Sequence, residues 1–198
     1  MVAKATTTVK VGVLAVQGDF AEHIAVLKRL GMNTVDVRLP RHLEGVEALI
    51  MPGGESTTFS HLMDLYDLKE PIKKLAGAGV PLWGTCAGMI MMARELTEKK
   101  PIPMGLMDIQ VVRNAFGRQV DSFEVNLEIR PLGCEPFRAV FIRAPVISRV
   151  GEDVDVLARL PDGRPVAVQQ KNLLATAFHP ELTQDPRFHQ YFLSLAKK

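Results

Sequence analysis

Short apolar runs alternate with helix-period segments along the first half of the chain, and that order constrains the fold more than any other feature. Residues 9–16 (VKVGVLAV) read as a buried strand, and residues 19–30 as a helix with apolar positions at helical spacing. Gly31 closes that helix, as glycine commonly does just past a C-terminus. Further strands are expected at 34–38 and 48–51. Pro52-Gly53-Gly54 then breaks the chain ahead of a helix over 57–66. A helix over 68–76 leads through Gly79 to a strand at 80–83, and a helix is expected over 87–96. Strands that alternate with helices build a parallel sheet with helices on its faces.

The second half changes character. Strands are expected at 107–112, 122–129, 139–142, 154–157, 166–170 and 173–178, with a closing helix over 187–196. Turn signals such as Pro131-Leu132-Gly133 and Pro161-Asp162-Gly163 separate them. The sheet is therefore expected to be mixed, parallel in its core with antiparallel additions. There is no internal repeat, low-complexity segment or linker, so residues 9–198 read as one domain. Residues 1–8 form an N-terminal extension without a functional reading.

Composition removes several classes of function. Hydrophobic residues at 47% and charged residues at 23% suit a soluble globular protein. The net charge is +2 and no basic run exceeds Lys99-Lys100, which argues against nucleic acid or an anionic membrane as partner. Residues 1–8 lack the apolar centre of a signal peptide, and no segment is long enough to span a bilayer. Two cysteines, Cys86 and Cys134, cannot alone form a disulfide framework or a zinc site. A cytoplasmic protein without a metal or cofactor is expected.

Residues 80–88 (VPLWGTCAG) place Cys86 between two glycines at a strand-turn-helix junction. This is the context of a nucleophile elbow, with Cys in place of Ser in G-x-S-x-G. A sharp turn must lift the nucleophile clear of the sheet, and bulky flanking side chains would clash there. The helix that follows directs N–H groups at the sulfur, favouring thiolate, and offers an oxyanion donor at Ala87. The other reading is a small buried cysteine beside a tight turn.

A thiol nucleophile needs an imidazole to take its proton, and the imidazole needs an acceptor to hold its tautomer. Thr176-Ala177-Phe178-His179-Pro180-Glu181 supplies both at the end of the last expected strand. Pro180 favours extended backbone at His179, and residues two apart in extended chain project to one side. His23 and His61 fall in helix patterns, His42 in a connection and His189 in the final helix, so His179 alone has this placement. The alternative is a loop histidine with an unrelated surface glutamate. Gly53 and Gly54 add a loop whose backbone can approach a ligand and face a developing oxyanion, ahead of a helix capped by Ser56 or Thr57. That loop is too short and lacks the lysine of a phosphate loop.

These three stretches, in this order, resemble the triad class of glutamine amidotransferases. Where that class usually has glutamine four residues after the cysteine, this chain has Ile90. GTCAGMI, AVQGDFAEH, PGGEST, RNAFGRQVDSFE, FIRAP and FHPELT are similar instead to a narrower family, the glutaminase subunits of pyridoxal phosphate synthase. The similarity runs from about Val11 to the C-terminal helix. It implies a flavodoxin-like three-layer α/β/α fold, hydrolysis of L-glutamine, and a synthase subunit as protein partner. It makes Cys86 the nucleophile, His179 the base and Glu181 its orienter. Gly54, Glu55, Ser56, Arg113, Ile142 and Arg143 would line the glutamine site, the arginines suiting an α-carboxylate. Gln17 and Gly18 would lie near the oxyanion region and the synthase contact. A glutaminase of another pathway, a cysteine hydrolase on the same fold, and a non-catalytic interaction subunit are the competing readings. Ile90 and RNAFGRQ argue against the first of these, and the intact Cys86, His179 and Glu181 against the last.

Overall fold

A computed structural model describes residues 9–113 and 122–196. The extension at 1–8 and positions 114–121 of the RNAFGRQVDSFE stretch lie outside the described residues. The first half contains β1 (Lys10–Leu14), α1 (Phe20–Arg29), β2 (Asn33–Val37), β3 (Ala48–Met51), α2 (Ser56–Leu65) and α3 (Lys69–Gly77). It continues through β4 (Leu82–Thr85), α4 (Ala87–Met92) and β5 (Ala93–Leu96). The second half contains β6 (Met107–Val112), β7 (Ser122–Leu127), β8 (Phe137–Ile142), β9 (Val146–Val150) and β10 (Asp155–Arg159). β11 (Pro165–Gln170), β12 (Leu173–Thr176) and α5 (Arg187–Leu195) complete it.

The main sheet has the order β10-β11-β12-β4-β3-β1-β2. β2, β1, β3, β4 and β12 are parallel, while β11 and β10 add antiparallel edges. The parallel part is thus the 2-1-3-4-5 order of flavodoxin-like folds, with β12 as its fifth strand. Its strands are near-continuous apolar runs because both faces are covered: Val11, Val13, Leu49, Ile50, Leu82, Trp83, Leu174 and Ala175 are fully buried. Each large side chain so buried stabilises the fold by about 2 kcal/mol.

Trp83 and Gly84 show which helices cover which face, since adjacent strand residues point to opposite sides. The Trp83 ring meets His23 of α1 and Phe188, His189 and Phe192 of α5. On the other side, a Cβ at Gly84 would lie 2.5 Å from the carbonyl carbon of Gly88 in α4. α1 and α5 therefore cover one face of the sheet and α4 the other, the two helical layers expected of the fold.

Two expectations need correction. The helix expected over 87–96 ends at Met92, and residues 93–96 become β5, parallel to β6. The carbonyls of Met91 and Met92, which a longer helix would use, accept instead from the amides of Met104 and Leu106 at 2.8 and 3.0 Å. β9, which the sequence reading leaves out, pairs antiparallel with β6. Val146 and Ile147 are buried in succession and a register shift at Ser148 follows them, so the strand lacks an alternating pattern.

Candidate active site

The carboxyl ends of β12, β4, β3 and β1 lie side by side, and the segments carrying His179, Cys86, Gly53-Gly54 and Gln17-Gly18 follow them in turn. Ligands of open α/β sheets bind at this edge, where strand order reverses about β1. Thr176 pairs in register with Thr85, and the Cys86 amide donates to the Thr176 carbonyl at 2.8 Å. The residues just beyond the two strands, Cys86 and the segment leading to His179, therefore emerge together.

Cys86 has φ 47° and ψ −102°, a left-handed conformation that costs a non-glycine residue about 1–3 kcal/mol. This is the strained elbow expected from G-x-C-x-G, and close packing explains both glycines. A Cβ on Gly84 would meet the start of α4, and one on Gly88 would overlap the Met51 carbonyl oxygen of β3. Their absence lets α4 sit directly on the sheet with Cys86 at its N-cap. Ala87 opens that helix, where the first amides have no partner within it.

The His179 amide donates to the Val140 carbonyl at 2.8 Å, tying the end of β12 to β8. Its Nδ1 lies 2.8 Å from Oε1 of Glu181, and both side chains are almost fully buried. The backbone achieves this differently from expectation. Pro180–Leu182 form a 3-10 turn, not extended chain, and the turn carries Glu181 back beneath the ring.

A second carboxylate, unforeseen in the sequence reading, reaches the same nitrogen: Asp19 Oδ2 stands 3.3 Å from His179 Nδ1. One oxygen each of Asp19 and Glu181 and the Nδ1 of His179 all lie within 4.8 Å of one another. Burial opposes charge on His179, but hydrogen bonds to Asp19, Cys86 and Glu181 outweigh it and push the pKa up to about 12. Asp19 is correspondingly lowered, first by its hydrogen bond to His179. Burial pushes the Glu181 carboxyl up, with the His179 N–H pulling against it. A charged imidazolium beside a thiol favours its thiolate.

Gln17 and Gly18 follow β1 and meet the glycine loop that follows β3. Gly18 has φ 89°, and a Cβ there would overlap the Gly53 carbonyl oxygen; one on Gly53 would overlap His179 Cε1. The Asp19 amide donates to the Gly53 carbonyl at 3.2 Å, and the Glu55 amide to Gln17 Oε1 at 3.1 Å. The cap of α2 is Glu55, not Ser56 or Thr57: its carboxylate accepts from the Thr57 and Thr58 amides. Burial would raise this carboxyl, but those hydrogen bonds hold it down to about 2. Arg113, at the end of β6, donates to Glu55 Oε1 at 3.4 Å and Thr57 Oγ1 at 3.2 Å, which brings two expected substrate contacts together. Ser56 is buried at the start of α2. Ile142 ends β8 and Arg143 follows it with φ 42°, two and three residues past the Val140 carbonyl that holds His179.

Behind His179 and Glu181 lies a buried chain of rings. His23 Nε2 stands 3.4 Å from both Glu181 Oε2 and Thr85 Oγ1, and His23 Nδ1 is 3.0 Å from His189 Nε2. The sequence carries a signal for His23, which falls with Ile24 and Leu27 on the buried stripe of α1. Burial drives His23 well below its ordinary 6.5 and His189 down to about 3, so both rings are neutral in the folded chain. The unfolded chain protonates them near 6.5 and the folded chain does not, so stability is full above 6.5 and falls as the pH drops below it. At about pH 5 the His189 ring costs on the order of 2 kcal/mol, and His23 acts in the same direction. His179 has the opposite sign: its contribution is fully present below 6.5 and is lost as pH rises toward 12, so it adds no slope in acid. Urea unfolding from about pH 7 to 5 should show this loss, and His189→Gln should lessen its slope; an unchanged slope would contradict neutral burial.

The chain belongs to the SNO glutamine amidotransferase family, whose pattern matches residues 13–198. It is 60% identical over 188 residues to the pyridoxal 5'-phosphate synthase subunit PdxT of Herpetosiphon aurantiacus, covering 93% of this chain and 99% of that one. The PdxT of a Dehalococcoides mccartyi strain is 54% identical over 190 residues, covering 95% and 97%. A solved structure described as a glutamine amidotransferase superposes with a TM-score of 0.89 at 52% identity, covering 95% of this chain and 99% of its own. Among the described residues, no helix is long and apolar enough to cross a membrane.

Proposed function

We propose that this chain hydrolyses L-glutamine to L-glutamate and ammonia, and passes the ammonia to a synthase subunit that forms pyridoxal 5'-phosphate. One observation carries the reading: the register of β4 and β12 sets Cys86 beside a histidine whose Nδ1 is held 2.8 Å from a buried glutamate. The relatives' shared name supports the synthase as partner. A hydrophobic cluster that runs from Val11 to Leu195 among the described residues supports one domain over residues 9–198. Two free cysteines suit a reducing cytoplasm.

In this mechanism Cys86, as thiolate, attacks the side-chain amide carbon of glutamine. The carbonyl electron pair moves onto oxygen, where the amides of Gly54 and Ala87 stabilise it. His179 gives its proton to the leaving nitrogen, the C–N bond breaks, and ammonia departs from a γ-glutamyl thioester. The ring, now neutral, takes a proton from water as the water oxygen attacks the thioester. The C–S bond then breaks, releasing glutamate and restoring the thiolate and imidazolium. Glu181 holds the Nδ1 proton throughout. Arg113 and Arg143 supply cationic partners for the substrate carboxylate, with Glu55, Ser56 and Ile142 around them. No step calls for a metal or a cofactor.

The oxyanion loop gives a reason for partner control. Peptide C=O and N–H groups point opposite ways, so the Asp19 amide, by holding the Gly53 carbonyl, also fixes the direction of the Gly54 N–H. Contacts at Gln17-Gly18 can release that hold, and glycine tolerates the flip. Glutamine hydrolysis by the pure chain should be slow and should rise by roughly tenfold or more as the synthase subunit is titrated in, a shift of about 1.4 kcal/mol. A complex that assembles yet releases no ammonia would overturn the proposed function.

A further inference from the structure

We infer that Asp19 is a positioning residue for His179, a second carboxylate that shares the Nδ1 proton with Glu181 and links the base to the glycine loop. The inference rests on the glutaminase reading of Cys86 and His179. Asp19 occupies the N-cap of α1, where an aspartate ordinarily accepts from the next helical amides, yet its side chain makes no cap hydrogen bond. Its side chain is 39% exposed and free to turn to water, but it points to the ring, with Oδ2 3.3 Å from Nδ1.

The surroundings are shaped for that contact. Gly18 has no side chain, which lets the Gly53 carbonyl reach the Asp19 amide at 3.2 Å. Gly53 has none either, which lets His179 approach; a Cβ there would also lie 3.2 Å from Asp19 Oδ2. One residue thus touches the base through its carboxylate and the oxyanion loop through its backbone. The two acceptors on Nδ1 differ in kind: Glu181 is buried and fixed, whereas Asp19 is half-buried beside Gln17 and Gly18. The charged or titratable groups facing the ring are Asp19 and His23 from α1, Glu181 from the 3-10 turn and Cys86 from the elbow. Of the two carboxylates, Asp19 is the one that a docked partner can reach. Its negative charge favours the imidazolium and, through it, the Cys86 thiolate.

Asp19→Asn separates charge from capping, because asparagine caps a helix as well as aspartate does. The full chain is alkylated with iodoacetamide at about pH 6 and pH 8.5, and the rates at Cys86 and Cys134 are read by peptide mass spectrometry. In the wild type, buried Cys86 should react faster than exposed Cys134 at the lower pH. In Asp19→Asn the ratio of the two Cys86 rates should fall about tenfold, with thermal unfolding unchanged. Asp19→Ser, also a good cap, should behave alike and decides the matter if the asparagine variant is unstable. A wild-type rate ratio in a folded variant would overturn the role of Asp19. A wild-type Cys86 with no acid-stable reactivity would overturn the glutaminase reading beneath it.

Discussion

Cys86→Ala is expected to lower glutamine hydrolysis by about three or more orders of magnitude while leaving the fold in place. The loss is large because the sulfur forms the covalent intermediate, and what remains is only the catalysis that oxyanion donors and binding supply. The fold should survive because the backbone anchors of this position do not involve the side chain: its amide donates to Thr176 and its carbonyl accepts from Ile90 at 3.1 Å. Alanine still has to adopt φ 47°, so that strain persists in the variant. Ammonia release by the complex with synthase checks the activity, and a thermal melt checks the fold. Residual activity above about a tenth of wild type would remove Cys86 from the chemistry.

Gly88→Ala is expected to be the most damaging single-methyl change in the elbow. The new Cβ would overlap the Met51 carbonyl oxygen and lie 2.8 Å from its carbon, and both are backbone atoms of a buried strand. Neither can rotate away, so α4 must lift from β3. We expect a loss of about 3 kcal/mol, read as a melting temperature roughly 6–12 °C lower. Because Cys86 is the N-cap of that helix, even a 1 Å shift should also cost about a hundredfold in turnover. Gly77→Ala is the matching control. A Cβ there meets nothing within 4 Å at the end of α3, so this change should be neutral or slightly stabilising. Equal effects from the two substitutions would show that the close packing at Gly88 is not what the glycine serves.

The parts of the site legible in the sequence are those whose geometry is local. Cys86 could be read from a strand, a glycine-flanked turn and a helix over nine residues, 80–88, and Glu181 from its nearness to His179. Even there the reason was only partly right, since a 3-10 turn and not an extended chain joins the pair. Asp19 was not legible as a site residue. An aspartate ahead of an amphipathic helix reads as a cap, and only the adjacency of β1, β3, β4 and β12 turns it toward His179. Glu55 failed for a related reason: propensity favours serine or threonine as caps, but the glycine loop and Arg113 place the longer carboxylate over the helix start. Likewise the helix over 87–96 was cut short by the distant segment 104–106, which takes its carbonyls. The parallel core survived such reading because strand burial on both faces writes long apolar runs into the sequence.

The measurement closest to the central claim is covalent trapping of the nucleophile. The chain, bound to its synthase subunit, is incubated with an electrophilic analogue of glutamine and digested for peptide mass spectrometry. The expected result is a single adduct on Cys86, suppressed by excess glutamine and absent from Cys134, although Cys134 is the exposed thiol and Cys86 is buried. Because simple accessibility favours the opposite outcome, selectivity for Cys86 can arise only from activation and substrate recognition at the elbow. An adduct mainly on Cys134, or one on Cys86 that glutamine does not suppress, would contradict the assignment.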